Sequence, residues 1–241
     1  MTDGAPLRLA VVGWSGRMGR EIEALAAEDD SLAVVGGVGR ETLAGLAEVA
    51  SGAEVVIDFS TPDATPMVIE VVREARLPLV IGTTGLTAEA VAELRALSAE
   101  VPVWYARNMS TGVSLLQRIM PEVARALAGF DIELLEAHHR HKVDAPSGTA
   151  LMLAEAILAG LDRAGPFVHG REGHAPRDPG EIGIHAIRAG GNPGEHTVLF
   201  ASEQEEVRIS HRAFTRQVFA AGAIRAARAV HGAAAGWYGP E

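Results

Sequence analysis

The chain has 241 residues, of which 48% are apolar and 22% are charged, with a net charge of −10 and an isoelectric point near 5.4. Those values are typical of a globular protein with one large or two modest domains, and the acidic balance argues against nucleic acid or an anionic membrane as partner. The absence of cysteine excludes disulfides, a thiolate nucleophile and cysteine metal sites. No signal peptide or membrane-spanning stretch is recognisable, so we expect a cytoplasmic protein.

The first element in chain order is a short apolar run, Leu7 to Gly13, which is typical of a buried parallel strand. It leads into the glycine-rich loop GWSGRMG at residues 13–19 and then into an amphipathic stretch that predicts a helix. Glycines let a backbone approach a pyrophosphate and a helix N-terminus attracts anions, so this order predicts dinucleotide binding. Because Ser15 stands in the usual place of the second glycine, a plain glycine turn within an α/β unit is the alternative.

The second predicted strand, Leu32 to Val38, ends where NAD enzymes usually carry an acidic residue for the ribose hydroxyls. Here the strand is followed by Gly39 and Arg40, and an acid comes only at Glu41. Since an arginine in that place suits a 2′-phosphate, the pattern favours NADPH and leaves NADH as a second option. The alternative is that Arg40 is an ordinary solvated loop residue.

Three further apolar runs predict strands that alternate with helices: Glu54–Ser60, a run that contains Leu79–Ile81, and Val101–Ala106. This alternation predicts a doubly wound parallel sheet of the Rossmann type, in which ligands bind at the carboxyl ends of the strands. The candidate cofactor-binding residues are therefore those that follow the predicted strands: Gly13, Trp14, Ser15, Gly16, Arg17, Met18, Arg40, Gly82, Thr83, Thr84, Ala106, Arg107, Asn108 and Met109.

The pattern changes after Thr111, where helices are followed by consecutive strands. The predicted elements are a helix containing Pro121, a strand at Phe130–Ala137, a helix at Ser147–Leu161, a long loop at Gly165–Gly180, strands at Ile182–Arg188, His196–Ala201 and Val207–His211, and a helix at Thr215–His231. This order predicts a second, α+β domain with a mixed sheet, whereas the last helix returns to the first domain. We expect a dinucleotide-binding domain at residues 1–110, completed by 216–241, and a substrate domain at 111–215.

The segment EAHHRHKVDAPSGTA, at residues 136–150, carries the candidate chemistry. Three of the nine histidines (His138, His139 and His141) are followed at once by Lys142, the only lysine among 21 basic residues. A lysine can be tuned to give or take a proton, whereas an arginine is essentially never deprotonated. If the strand continued through the segment, His138 and Lys142 would share one face, with His139 and His141 on the other. We predict that His141 has a structural role.

Two alternatives for these histidines remain open. One alternative to a catalytic role is a solvated basic turn. The other is a zinc site with Asp144 or Glu136 as a further ligand, but no H-E-x-x-H spacing is present and we expect no metal. The residues Asp144 to Thr149 predict a turn into a helix that Ser147 caps and where Gly148 lets a ligand approach. Such a helix start binds a carboxylate or phosphate, and a purely structural cap is the alternative.

These residues resemble the 4-hydroxy-tetrahydrodipicolinate reductase (dihydrodipicolinate reductase) family of lysine and diaminopimelate biosynthesis. Besides the segment at 136–150, similar blocks occur in the same order along nearly the whole chain: GxxGRMG at 13–19, IDFS at 57–60, VIGTTG at 80–85, N-x-S-x-G at 108–112, REGH at 171–174, and RAG with GEHTV around 188–198. The resemblance implies an N-terminal Rossmann domain, a C-terminal mixed-sheet domain that builds a homotetramer, a small dicarboxylate substrate, and NAD(P)H as hydride donor.

By the same resemblance, His138 is the general acid and Lys142 a second proton donor. His139, Gly148 and Thr149 are implied to bind substrate, and so is Arg216, for which a surface charge at the helix entry is the alternative. Hydride delivery to a conjugated cyclic imine leaves electron density that an acid must neutralise, which agrees with these roles.

The chain departs from the family pattern in the cofactor half. Gly39 stands where an acid is common, which favours NADPH; Trp14 is bulky for its place in the loop, and Arg107 and Met109 replace other residues. Two rival hypotheses are an aspartate dehydrogenase-like reductase, which would not need the segment at 136–150, and a non-catalytic nucleotide sensor, which would need neither His138 nor Lys142.

Overall fold

A computed structural model describes residues 5–240, which form two compact units. The first unit comprises the residues up to Ser110 together with those from Arg216 onward, and the second is Thr111–Thr215. The strands are β1 Leu7–Val12, β2 Leu32–Val38, β3 Val55–Asp58, β4 Leu79–Ile81, β5 Pro102–Tyr105, β6 Asp131–His138, β7 Phe167–His169, β8 Ile182–Arg188, β9 Glu195–Ala201, β10 Glu206–Arg212 and β11 Gly236–Tyr238. The helices are α1 Arg17–Ala27, α2 Leu46–Ala50, α3 Thr65–Ala75, α4 Ala88–Leu97, α5 Thr111–Ala126, α6 Gly148–Gly160 and α7 Gln217–Val230, with 3₁₀ turns at Arg40–Gly45 and Pro62–Ala64.

The first unit is a six-stranded parallel sheet in the order β11-β5-β4-β3-β1-β2. Helices cover both faces, because the strands are apolar on both sides: α1 and α7 pack on one core, and residues of α2, α3 and α4 pack on the other. The chain order reverses direction at β1, which pairs with both β2 and β3, and such a switch point is where parallel sheets bind ligands. The doubly wound Rossmann-type fold is confirmed.

The second unit is a five-stranded mixed sheet in the order β10-β9-β6-β8-β7. The central strand β6 is parallel to β8 and antiparallel to β9, with Leu134 opposite Ile184 and Val198. Helices α5 and α6 cover one face and enclose an apolar core around Phe200 and Met120. The mixed-sheet prediction is confirmed.

Two short strands were not expected. The predicted loop at Gly165–Gly180 is wrong in part, because Phe167–His169 pairs with the edge of β8. At the other end of the described chain, Gly236–Tyr238 adds an edge strand to the first sheet by pairing with β5. Both are three residues long, so neither contains enough alternation to be recognised from periodicity.

Among the described residues 5–240, no helix combines the length and the apolar character that crossing a membrane requires.

Candidate active site

Glu136 and His138 lie two residues apart on β6 and therefore point to the same, helix-covered face of the sheet. Glu136 is 1% exposed and His138 is 8% exposed. The Nδ1 atom of His138 lies 2.5 Å from Oε2 of Glu136. Because an ionised carboxylate can only accept, His138 donates its Nδ1 proton to Glu136. The pair fixes both the orientation of the imidazole and the position of its proton.

Arg188 completes this pair from the neighbouring parallel strand β8, on which it stands opposite His138. Its Nη1 and Nη2 atoms donate to the two oxygens of Glu136 at 2.7 and 2.6 Å, and Nη2 also donates to the carbonyl of Asp144 at 2.6 Å. Burial by itself would raise the pKa of Glu136, but the bonds from His138, Arg188 and the Ser147 amide lower it to about 2. Glu136 is therefore a carboxylate at any working pH.

The histidine segment does not continue as a strand. β6 ends at His138, and residues 139–142 form a turn in which the amide of His139 donates to Asn192 O at 2.8 Å and that of Arg140 to Gly190 O at 3.2 Å. The alternation considered for the case of a continued strand therefore does not apply beyond His138. His141 is exposed and its ring contacts that of His139 at 6.2 Å between centroids, so the structural role expected for His141 is wrong as well.

Lys142 is bound by the carboxylate of Asp144, which accepts from Nζ at 2.7 and 2.8 Å. Partial burial acts to raise the pKa of Asp144, but the Lys142 ammonium outweighs it and lowers that pKa. Arg188 binds the backbone of the same Asp144. The two proposed proton donors are thus connected through Arg188, which touches the partner of each.

Ser147 caps the start of α6, as predicted. Its Oγ accepts from the amide of Ala150 at 3.1 Å, and its own amide donates to Oε1 of Glu136 at 3.0 Å. Gly148 is exposed at the first helical position, and Thr149 is 8% exposed at the second. Amides of a first helical turn have no partner inside the helix, so this end can bind a carboxylate.

His196 on β9 was missed by the sequence reasoning. It is 2% exposed, its ring lies 5.1 Å from that of His138, and its Nε2 is 3.0 Å from Ser147 Oγ. Burial, with the nearby charge of His138, lowers the pKa of His196 to about 3, so the ring is neutral and shares one hydrogen bond with the Ser147 hydroxyl. The signal in the sequence was its place in the GEHTV block, whereas its register opposite Glu136 requires the strand pairing.

Within the part of the chain that the structure describes, no group of three or more His, Asp or Glu side chains has an arrangement that could hold a metal ion.

The glycine loop of the first unit packs so closely that two of its glycines leave no room for a side chain. Gly13 has φ +84°, and a Cβ there would lie 2.4 Å from Phe59 O at the end of β3. A Cβ at Gly19 would lie 2.3 Å from Trp14 O, so the loop can pack against α1 only with glycine at that position. Gly16 begins α1 with an extended backbone, and Ser15, Gly16 and Arg17 are exposed beside it while Met18 packs on the core. The backbone is therefore open to a phosphate at the helix start.

A pocket of about 520 Å³ lies beside this loop, at the end of β2. It is lined by Trp14, Ser15, Gly37, Gly39, Arg40, Glu41 and Thr42. Arg40 is exposed, and the Thr42 hydroxyl accepts from the amide of Gly39 at 2.9 Å, which holds the turn after the strand. The structure thus places Arg40 in the same pocket as Trp14 and Ser15 of the glycine loop.

The other predicted cofactor residues follow β4 and β5. A Cβ at Gly82 would lie 2.3 Å from the Phe59 ring. Thr83 is 2% exposed, and its hydroxyl accepts from the Ser60 amide. Of the residues 82–84, only Thr84 is therefore exposed. Ala106 and Met109 are buried in the core, whereas Arg107 and Asn108 are half-exposed.

Arg216 lies at the start of α7, in the first unit. Burial and the positive charge of Arg17 lower its pKa, so Arg216 lies close to the start of α1. The other candidate substrate residues belong to the second unit.

Comparison with known proteins finds the same family over both units. The model of the dihydrodipicolinate reductase N-terminus matches residues 7–109, and that of the dihydrodipicolinate reductase C-terminus matches residues 112–241. Proteins described as 4-hydroxy-tetrahydrodipicolinate reductase are 42% identical in Caldanaerobacter subterraneus, covering 98% of this chain and 97% of the relative, and 44% identical in Rubrobacter xylanophilus, covering 96% of both.

A solved structure shares the fold. The dipicolinate-bound dihydrodipicolinate reductase of Paenisporosarcina sp. TG-14 aligns over 97% of each chain with a TM-score of 0.75 at 22% sequence identity.

Proposed function

The chain belongs to the dihydrodipicolinate reductase family and reduces 4-hydroxy-tetrahydrodipicolinate to tetrahydrodipicolinate with loss of water, and we propose that His138 and Lys142 supply the protons of this reaction. The reaction uses a nicotinamide cofactor and belongs to lysine and diaminopimelate biosynthesis. This assignment replaces the two rival hypotheses, a dehydrogenase of the aspartate dehydrogenase type and a non-catalytic sensor. The observation that carries the proton assignment is the bond between His138 and Glu136.

In the proposed mechanism His138 is the general acid. Its Nδ1 atom is engaged by Glu136, so Nε2 is the nitrogen from which a proton can reach the substrate. The net reaction takes up one hydride and one proton and releases one water, because the proton that the leaving hydroxyl takes up is balanced by one that the ring loses. The electron pair displaced by the hydride moves into the conjugated imine, where an acid within hydrogen-bond distance neutralises it. Lys142 is the second donor, and Asp144 holds its ammonium in place until the substrate binds.

We propose that one substrate carboxylate binds at the start of α6. Ser147 already uses its amide for Glu136 and its hydroxyl for Ala150 and His196, so the anchor consists of the amides of Gly148 and Thr149. The positive end of the helix dipole adds to the attraction. His139, beside His138, and Arg216 are the further candidate substrate contacts.

The first unit is proposed to hold the cofactor, which when bound supplies the hydride. Gly13 and Gly16 leave room for the pyrophosphate beside the start of α1, with Ser15, Arg17 and Met18 in the same loop and helix start. Residues 82–84 and 106–109 follow the next strands along the same sheet edge. We propose NADPH as the preferred cofactor, because Arg40 lines the pocket at the end of β2 and Gly39 contributes no carboxylate against the phosphate.

We further propose a dinucleotide-binding domain at residues 1–110 completed by 216–241, and a substrate domain at 111–215 that also builds a homotetramer. The support for assembly is the sheet face of the second unit opposite α5 and α6, where Leu135 is 39% and Ile187 52% exposed. Exposed aliphatic side chains on one sheet face favour burial by a second copy. We place the enzyme in the cytoplasm, where reduced nicotinamide cofactors are available. Light scattering after gel filtration tests the tetramer.

The function is tested with purified protein and the condensation product of pyruvate and aspartate semialdehyde. NADPH absorbance should fall only when that product is present, and faster than NADH absorbance at equal low concentrations. Oxidation without the product, or none with it, would contradict the assignment.

A further inference from the structure

We infer that Glu136 is a positioning residue that couples the proton donor to the carboxylate anchor, so that acid strength and substrate binding depend on one buried charge. This inference deepens the proposed function and rests on the roles given there to His138 and the start of α6. Glu136 itself is closed off from substrate, because it is 1% exposed and each of its oxygens already accepts two hydrogen bonds.

The four bonds reach three parts of the site. Oε2 accepts from His138 Nδ1 and Arg188 Nη1, whereas Oε1 accepts from the Ser147 amide and Arg188 Nη2. All four are donated to a carboxylate and are therefore charge-assisted, which makes them short and directional. The imidazole and the first turn of α6 thus share a single support, and a displacement of Glu136 would move both.

The arrangement also determines which tautomer His138 adopts. With Nδ1 protonated and directed at Glu136, the neutral ring presents an unprotonated Nε2. This Nε2 faces Gly194, where an added Cβ would lie 3.1 Å from it. When the ring is protonated, the carboxylate stabilises the imidazolium, and Nε2 carries the proton that is delivered. A carboxylate that holds a catalytic histidine in one tautomer is an established device in hydrolases.

The charges around His138 determine the direction of the expected pH effect. Glu136 is the negative group on its own strand; β8 contributes the Arg188 cation, β9 the neutral His196, and the segment after β6 Lys142 with its partner Asp144. Farther away, the charge of His211 on β10 contributes to lowering the pKa of His196. Removal of the Glu136 charge leaves Arg188 and Lys142 facing the imidazolium, so the ring should lose its proton at lower pH.

The test compares Glu136→Gln with Glu133→Gln. Glu133 lies on the same strand but is engaged by His185 and Arg177, outside the His138 network, so its substitution controls for loss of a strand carboxylate. Glu136→Gln should lower kcat about ten- to a hundredfold and raise the KM for substrate. The alkaline limb of the kcat profile should move to lower pH. The KM of Glu136→Gln for NADPH should stay near the wild-type value. For Glu133→Gln, kcat, both KM values and the pH profile should all stay near wild type.

A second measurement depends neither on the folding of Glu136→Gln nor on the activity assay. In the wild-type protein labelled with ¹⁵N-histidine, the His138 ring, identified by its loss in His138→Gln, should be the Nδ1–H tautomer when neutral. An Nε2–H tautomer, or an unshifted pH profile in folded Glu136→Gln, would overturn the inference and leave the assigned reaction intact. Wild-type protein that fails to reduce the substrate would instead contradict the proposed function, whatever tautomer is found.

Discussion

The indole of Trp14 lies directly against the backbone of Gly37: a Cβ added at Gly37 would lie 2.5 Å from two atoms of the ring. Trp14 belongs to the glycine loop and Gly37 to β2, and both line the pocket that contains Arg40. The bulky residue of the loop is therefore accommodated by a glycine of the adjacent strand.

Gly37→Ala should accordingly destabilise the protein by about 1–3 kcal/mol, because the ring must move to relieve the contact. In the double variant Trp14→Ala/Gly37→Ala much of that cost should disappear, and urea denaturation of all four proteins gives the coupling. Gly45→Ala is the control, since no atom lies within 4 Å of its added Cβ. Additive effects in the cycle would mean that the two residues do not share this space in solution.

Arg40→Ala tests the cofactor preference. A charge-assisted bond to phosphate contributes about 1.5–3 kcal/mol, so the KM for NADPH should rise roughly ten- to a hundredfold while that for NADH changes little. Initial rates with each cofactor measure the ratio. Arg20→Ala, an exposed position on α1 outside the pocket, should leave the ratio unchanged. An equal effect of Arg40→Ala on both cofactors would argue against a 2′-phosphate contact.

Lys142→Ala should lower kcat by at least about a hundredfold, the usual contribution of a positioned acid. Lys142→Arg should not restore the rate, because a guanidinium keeps charge but does not release its proton. Steady-state kinetics at saturating NADPH measure both, and Arg140→Ala, an exposed cation two residues earlier, is the control. Near-normal turnover in Lys142→Arg would assign the lysine a purely electrostatic role.

Gly194→Ala should slow catalysis about tenfold or more, because the new Cβ would lie 3.1 Å from His138 Nε2 and disturb the acid. Gly190→Ala is the control: it also introduces alanine at a positive φ, +56° against +156° at Gly194, but no atom lies within 4 Å of its added Cβ. Both variants should lose some stability, and only Gly194→Ala should lose turnover. Equal rates in the two would show that His138 tolerates the crowding.

The stability of the second unit should fall as pH is lowered below neutrality. The pKa of His196 is about 3 in the folded protein against an ordinary value of 6.5, so protons bind the unfolded chain more tightly and stability decreases from about pH 6.5 toward 3. Each bound proton steepens the dependence by up to about 1.4 kcal/mol per pH unit. Glu136, with a pKa of about 2 against 4.5, adds a separate loss between those values.

Urea midpoints of wild type and His196→Gln between pH 7 and 5 check this dependence. The variant should be less stable at pH 7 and show a flatter profile, whereas His169→Gln, at an exposed position on β7, should keep the wild-type slope. Parallel profiles for wild type and His196→Gln would mean that His196 is charged in the folded state.

Several features were predictable because they depend on residues close in the chain. The strand and glycine loop at residues 7–19 combine a continuous apolar run with a turn that only glycine accommodates, and the start of α6 is specified by the capping side chain of Ser147. The alternation of strands and helices was enough to predict the parallel sheet.

Other features depend on how the chain folds back on itself. The sequence by itself determined the two folds, the glycine loop and the presence of His138 and Lys142 in one segment. Only the tertiary structure placed Arg188 and His196 beside Glu136, because they come from strands 52 and 60 residues away whose register is decided by packing across the whole sheet. It also decided that β6 ends at His138, since the next residues bond to the turn at residues 190–192 instead of to a neighbouring strand.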